Sequence, residues 1–251
     1  MMELVIENSV GTVLLDRPPV NAWDDGQLDL LEDIIDVVKK EELSVVVVRS
    51  EGQHFSAGAD IKVMVAALES GQFQRLDSFV SRIQRVNFEW EQIPVPTVVV
   101  LQGAVVGGGL EFALACDLRI STTNARLGLP EVRLGLLPGG GGTQRLTRLA
   151  GRGHALRMML TGELIDGCLA ERWGIVDWCV EPEELSVKVQ EVVAAIVDVA
   201  GPAQRAIKRS VERCGSSVGY LTETAEQRVL HGSQSTRERL SQFVSERMGA
   251  R

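Results

Sequence analysis

The chain is poor in the residues that most often announce a metal or nucleophile. It has three histidines, His54, His154 and His231, and four cysteines, Cys116, Cys168, Cys179 and Cys214. No cysteine stands in a CxxC pair and no histidine is near one. This argues against a metal cluster and reads as buried, reduced thiols in a reducing compartment. There is no G-x-S-x-G elbow, so an α/β-hydrolase serine has no support. The glycine-rich stretches lack the GxGxxG spacing of a dinucleotide loop and the Gly-Lys-Ser/Thr of a phosphate loop. Excess positive charge is lacking too: the net charge is −8, which argues against nucleic acid and anionic membranes as partners. The start carries Glu3 and Glu7 and no basic region, so no secretory signal is expected and the cytoplasm is the expected location. The most apolar stretch, 97–116, contains Gln102, four glycines and Glu111, which makes it a poor membrane span.

What is present is an ordinary globular balance, with 45% hydrophobic and 24% charged residues over 251 positions. That suits one large domain, or a core with an appendage. Residues 4–7 and 12–15 flank Asn8-Ser9-Val10-Gly11 and predict a hairpin. Leu28, Leu31, Ile34, Ile35 and Val38 recur at helical spacing after Asp24 and Asp25. The β-branched runs 45–48 and 97–101 predict strands covered on both faces, and 118–121 a third. Between them, helices are expected from Ala59 onward and from Leu76 to Trp90. Strand and helix alternate, so the expected class is α/β with parallel strands. After Gly142 helical patterns dominate: 143–150, 153–160, 166–173, 183–199, 202–214 and 221–248, with one strand over 175–180. We therefore expect a catalytic core over 1–190 and a helical region over 191–251.

Three segments carry chemistry. In His54-Phe55-Ser56-Ala57-Gly58-Ala59-Asp60-Ile61-Lys62, small residues lead from a strand to a helix. Small side chains let a ligand approach the backbone, and N–H groups at a helix start attract developing negative charge. Gly103-Ala104-Val105-Val106-Gly107-Gly108-Gly109-Leu110-Glu111 repeats that design. It ends on a carboxylate in apolar surroundings, where burial raises a pKa and suits proton transfer. The third, Gly128-Leu129-Pro130-Glu131-Val132-Arg133, is followed by Pro138-Gly139-Gly140-Gly141-Gly142-Thr143-Gln144-Arg145. Each has a plainer reading: a tight turn, a carboxylate stabilised by a helix dipole, or Glu131 paired with Arg133 or Arg145. His54 is expected to pack or cap locally. Two carboxylates and two glycine turns together suit chemistry on an acyl group whose oxygen is polarised by backbone N–H groups.

These segments, in this order, resemble the three signatures of the crotonase (enoyl-CoA hydratase/isomerase) superfamily, and the likeness runs from about residue 3 to 248. The resemblance implies a spiral of repeated ββα units with a helical C-terminal region. It also implies an acyl-CoA substrate, no separate cofactor, no metal, and a homotrimer or hexamer. It assigns the N–H groups of Ala59 and Gly108 to an oxyanion hole, and Glu111 and Glu131 to catalysis. It places Ala22, Ala57, Asp60, Ile61, Lys62, Gly107 and Gly139 in substrate and CoA binding. Lys62 is expected near the CoA phosphates, with Arg17 or a neighbouring subunit's Arg247 helping. The implied activity is that of an enoyl-CoA hydratase in fatty-acid or related acyl-CoA breakdown. An enoyl-CoA isomerase, a specialised acyl-CoA dehydratase or lyase, and a non-catalytic RNA- or scaffold-binding relative are the rivals. The family's isomerases often keep only the carboxylate matching Glu131, so Glu111 favours hydration. The tail departs from the family pattern over 231–240.

Overall fold

The computed structural model describes residues 1–199 and 201–249, with side chains described to Glu246. In chain order the elements are β1 (Met2–Glu7), β2 (Val10–Leu15), α1 (Asp25–Val38), β3 (Val45–Ser50), α2 (Ile61–Glu69), α3 (Phe73–Glu91), β4 (Thr97–Leu101), β5 (Ala104–Val106), α4 (Gly108–Ala113), β6 (Leu118–Thr122), β7 (Arg126–Gly128), α5 (Gly142–Thr161), β8 (Ile165–Asp166), α6 (Gly167–Arg172), β9 (Trp178–Val180), α7 (Leu185–Val197), α8 (Gly201–Val211), α9 (Ser217–His231) and α10 (Gln234–Gly249). A 3₁₀ turn, Glu131–Leu134, joins β7 towards α5.

Six strands form one sheet in the order β1-β2-β3-β4-β6-β9. β1 and β2 pair antiparallel as the expected hairpin, and the remaining neighbours are parallel. The valine-rich strands β3 and β4 are buried along most of their length, as central strands covered on both faces must be. A second, small sheet has the order β5-β7-β8. The chain thus repeats one unit. A strand in the large sheet is followed by a strand in the small sheet and then by a helix: β4-β5-α4, then β6-β7-α5. An incomplete turn precedes these, in which β3 is followed by Ser56, bridged in parallel to Val105, and then by α2. This is the spiral of repeated strand–strand–helix units that the resemblance implies.

Several expectations are corrected in detail. Helix α2 starts at Ile61, not Ala59, because Ala59 is bridged to Trp23 in extended form. The strand expected over 175–180 shortens to β9; Ile175 and Val176 are buried but unpaired in the sheet. The single helix expected over 221–248 is two, α9 and α10, broken at Gly232 and Ser233. The helices expected over 143–150 and 153–160 run together as α5 but part at Gly151, whose φ of 74° is non-helical. Cys116 is buried, but Cys168 and Cys179 are half-exposed and Cys214 is exposed, so burial holds for one thiol only. Residue 190 falls inside α7, whose Val192 packs with Val45, Val98 and Ile120 against the sheet. Helix α8 is tied to the core as well. Lys208 Nζ donates to Asp117 Oδ2 at 2.8 Å, and Arg205 Nη2 donates to the Leu43 carbonyl at 3.1 Å. By contrast, α9 has no buried residue and exposes Tyr220, Leu221 and Val229.

Candidate active site

The small sheet explains why residues far apart in sequence meet. Ser56 is bridged to Val105, and Val105 is registered on Leu127. Three residues beyond these positions lie Ala59, Gly108 and Pro130, the last followed directly by Glu131. The parallel register therefore delivers the turn before α2, the start of α4 and a carboxylate to one end of the sheet, where ligands of α/β folds gather. Ser56 fixes the first turn. Its fully buried hydroxyl donates to the Asn21 carbonyl at 2.8 Å and accepts from Trp23 Nε1 at 2.8 Å and Gly58 N at 3.1 Å. Gly58 has φ +85°, and a Cβ there would lie 2.7 Å from Gly108 N. Only glycine allows the two turns to approach so closely. Gly107 N is spent on the Gly128 carbonyl at 3.0 Å, but the N–H groups of Ala59 and Gly108 donate to no group among the described residues.

Those two N–H groups border a cavity of about 750 Å³, within the range of roughly 300–1,000 Å³ typical of small-molecule sites. Ala57, Ala59, Ile61, Gly107, Gly108, Glu111, Glu131 and Gly139 line it; α3 adds the apolar Leu76, Val80 and Ile83 with Asp77 and Ser81, and the stretch after Glu131 adds Leu134, Leu136 and Leu137 with Arg133. Ala22, Asp60 and Lys62 are not part of this lining. The Ala22 carbonyl and the Asp60 carboxylate instead hold Arg17, whose guanidinium is 2.6 Å from Ala22 O, 2.7 Å from Asp24 Oδ2 and 3.3 Å from Asp60 Oδ2. Arg17 is thus engaged by two carboxylates rather than turned to a ligand. Asp60 also caps α2 through Lys62 N at 3.0 Å. Lys62 is exposed on the first turn of α2, and its ammonium has no acidic partner among the described residues. Arg247 lies outside the residues whose side chains are described. His54 acts locally, as its ring Nδ1 accepts from Ala104 N at 3.1 Å.

Glu111 is only 3% exposed, on the first turn of α4. Its Oε1 accepts from Gly142 N at 2.8 Å. Burial pushes its carboxyl above the ordinary range, while the Gly142 and Gly140 N–H groups and the charge of Arg145 hold it back. A Cβ on Gly140 would lie 2.7 Å from Glu111 Oε2, and one on Gly142 2.9 Å from Oε1. The run of glycines is therefore a close cradle for this carboxylate, not a flexible hinge. Glu131 pairs with neither Arg133 nor Arg145. Its Oε2 is buried without a hydrogen-bond partner, and its Oε1 lies 3.2 Å from where a Cβ on Gly107 would stand. Burial, aided by the charge of Glu111 and opposed by its own backbone N–H, pushes its carboxyl up to about 7. With its carboxyl at about 7, Glu131 can hold a proton near neutrality and exchange it with a ligand, beside Glu111, which burial also pushes up.

Residues 5–248 match the sequence profile of the enoyl-CoA hydratase/isomerase family. The chain belongs to that family. Among its enoyl-CoA hydratase/isomerase relatives is a short-chain-enoyl-CoA hydratase of Clostridium acetobutylicum. It is 36% identical over 212 residues, covering 82% of this chain and 79% of the relative. A crotonyl-CoA hydratase of Syntrophomonas wolfei is 34% identical over 207 residues, covering 80% and 77%. The crystal structure of an enoyl-CoA hydratase from Bacillus anthracis superposes with a TM-score of 0.91 at 29% identity over 98% of this chain and 96% of that one.

Sequence reasoning quoted Ser56 and Arg145 within their motifs without finding what they hold in place, and it passed over Asn87. Asn87 Nδ2 and Arg145 Nη1 each donate to the Gly140 carbonyl at 3.0 Å. Asn87 sits on an apolar helical stripe, and the only signal for it was a polar residue where periodicity asks for an apolar one.

Proposed function

We propose that the protein is an enoyl-CoA hydratase, adding water reversibly across the 2,3 double bond of a 2-enoyl-CoA thioester. The observation that supports this best is the conjunction at one cavity of two unspent N–H groups with two carboxyls of raised pKa. Addition at C3 sends negative charge to the thioester oxygen. The N–H groups of Ala59, in the turn before α2, and of Gly108, at the start of α4, stabilise that charge; loss of one such donor typically costs about 100- to 1,000-fold in rate. Glu111, anchored by Gly142 N–H, orients and activates water for C3, and Glu131 delivers the proton to C2. Water supplies hydroxyl to one carbon and, through the carboxyl pair, a proton to the other, so the pair ends with the proton count it began with. No cofactor beyond the CoA of the substrate enters. Gly139 helps hold the attacking water, and Lys62 at the cavity's approach meets the CoA phosphates against an unfavourable net charge. Exposed apolar residues on α9 and α10 support assembly as a trimer or hexamer. Among the described residues no helix is long and apolar enough to cross a membrane; free cysteines support a reducing compartment, which we take to be the cytoplasm.

The test separates hydration from isomerisation, which uses no water and needs one base. Glu111→Gln and Glu131→Gln are assayed with crotonyl-CoA, longer and branched 2-enoyl-CoAs, and a 3-enoyl-CoA. Each change lowers hydration by about 100- to 10,000-fold, and the double variant loses far less than the product of the two. Turnover that survives Glu111→Gln and vanishes with Glu131→Gln establishes an isomerase instead. Indifference to both changes removes the catalytic reading.

A further inference from the structure

We propose that Asn87, together with Arg145 and Glu91, is a positioning device that clamps the Gly140 peptide and thereby holds the Gly142 N–H on Glu111. This inference rests on the hydratase reading for its effect on rate, though not for its geometry.

The clamp is built from two elements. Asn87 and Glu91 stand one turn apart on α3, and Arg145 lies on the first turn of α5. The Gly140 carbonyl takes two donors, Asn87 Nδ2 and Arg145 Nη1, both at 3.0 Å. Arg145 is in turn fixed by Glu91 Oε2, which accepts from its Nε at 3.1 Å and its Nη2 at 2.8 Å. Asn87 is 2% and Arg145 7% exposed. Buried polar groups of this kind need partners, and here both are aimed at one peptide oxygen. Fixing that oxygen fixes the plane of the peptide joining Gly140 to Gly141, and so the course of the chain into Gly142. A Cβ at Gly141, whose φ is +103°, would run into Arg145 Nη1. The turn is therefore shaped around the guanidinium. The same face of α3 carries Val80 and Ile83, which line the cavity. One helix thus sets both the acyl wall and the seat of a catalytic carboxyl.

The charged groups that bear on Glu111 are few. Arg145 from α5 lowers its pKa, and Glu131 from the turn after β7 faces it. Glu91 of α3 stands behind Arg145 and compensates its charge at 2.8 Å, with its other oxygen 3.9 Å from exposed Arg148 of α5, while Ile83 and Asn87 of the same helix are uncharged. The signs of two substitutions follow. Asn87→Ala frees the Gly140 carbonyl from one donor, loosens the Gly142 N–H, and lets the Glu111 pKa climb. Glu91→Gln keeps an acceptor for Arg145 but removes the compensating negative charge, so the Glu111 pKa falls. A general loss of packing has no reason to give opposite signs.

The experiment measures kcat and KM with crotonyl-CoA against pH, alongside a ¹³C-detected titration of the Glu111 carboxyl identified by its loss in Glu111→Gln. Asn87→Ala is expected to lower kcat about 10- to 100-fold, as misplacement of a catalytic group does, with KM within about two-fold. The Glu111 titration should move up by about half a unit, and in Glu91→Gln down by a similar amount. Shifts in the same direction, or an unmoved titration in both variants, overturn the clamp. So does a loss of thermal stability in Asn87→Ala with kcat and titration as in the parent. Opposite shifts with unchanged kcat uphold the clamp and instead sink the catalytic role of Glu111. Should Asn87→Ala fail to fold, the direction of the Glu91→Gln shift decides alone.

Discussion

Glu131 should destabilise the protein that depends on it, and the size and pH range of that effect follow from its surroundings. Its carboxyl is pushed from 4.5 to about 7 by burial first and by the charge of Glu111, and its Oε2 has no partner to offset the loss of water. The folded state therefore prefers the protonated form. A raised carboxyl pKa contributes stability that is fully present below the unfolded value and lost as pH rises through the folded one. Here that window runs from 4.5 to about 7. At about 1.36 kcal/mol per pKa unit the full effect is roughly 3 kcal/mol. Glu131 is only partly buried, and solvent screening reduces the expectation to about 1–2 kcal/mol. Glu131→Gln is neutral at every pH and resembles the protonated parent. It should match the parent near pH 4.5, pull ahead through pH 7, and be about 1–2 kcal/mol more stable at pH 8, while having lost its hydratase activity. Urea unfolding at fixed protein concentration, repeated across this pH range, measures the difference directly. A stability difference that stays flat with pH, or that favours the parent increasingly above pH 7, would refute the environment assigned to this carboxyl.

Gly140→Ala places a methyl 2.7 Å from Glu111 Oε2 and 3.0 Å from Ile83 Cγ2. It should cost about 100-fold in kcat with the fold retained, since its backbone angles are open to alanine; steady-state kinetics and circular dichroism check both halves. Lys62→Ala should raise KM for CoA thioesters several-fold and leave kcat nearly unchanged, because phosphate contacts are uniform between ground and transition states; a fall in kcat at constant KM would remove Lys62 from CoA binding. Thiol alkylation at pH 8, followed by mass spectrometry, should label exposed Cys214 first and Cys116 last. Cys116 is buried beneath Trp90, and burial pushes its thiol up to about 12. Cys179, also pushed up to about 12 by burial and by Cys168 3.5 Å away, should lag behind Cys214.

What could be read from the sequence was whatever repeats along it or departs locally from it. The valine runs of β3 and β4 alternate with helical stripes, so the parallel sheet was legible, and Asn8–Gly11 marked the hairpin. The glycine turns and the two glutamates stood out because each broke its apolar surroundings. What stayed hidden depends on pairings across distance. The strands of the small sheet span three, three and two residues, too few for any period to register. Yet their register brings Ala59, Gly108 and Glu131 together. Ser56 looked like one more small residue in a turn; its part lies in Asn21 and Trp23, which the linear chain does not set beside it. The plainer reading of Glu131 was a carboxylate paired with Arg133 or Arg145, since opposite charges invite pairing. The fold sends Arg145 to Glu91, on another helix, and leaves Glu131 bare. An ion pair would hold Glu131 ionised at neutral pH; without one, burial and the charge of Glu111 push its carboxyl up to about 7, as the proposed delivery of a proton to C2 requires. The raised carboxyl of Glu131 thus depends on a salt bridge made elsewhere, between Arg145 and Glu91, which no local pattern in the sequence encodes.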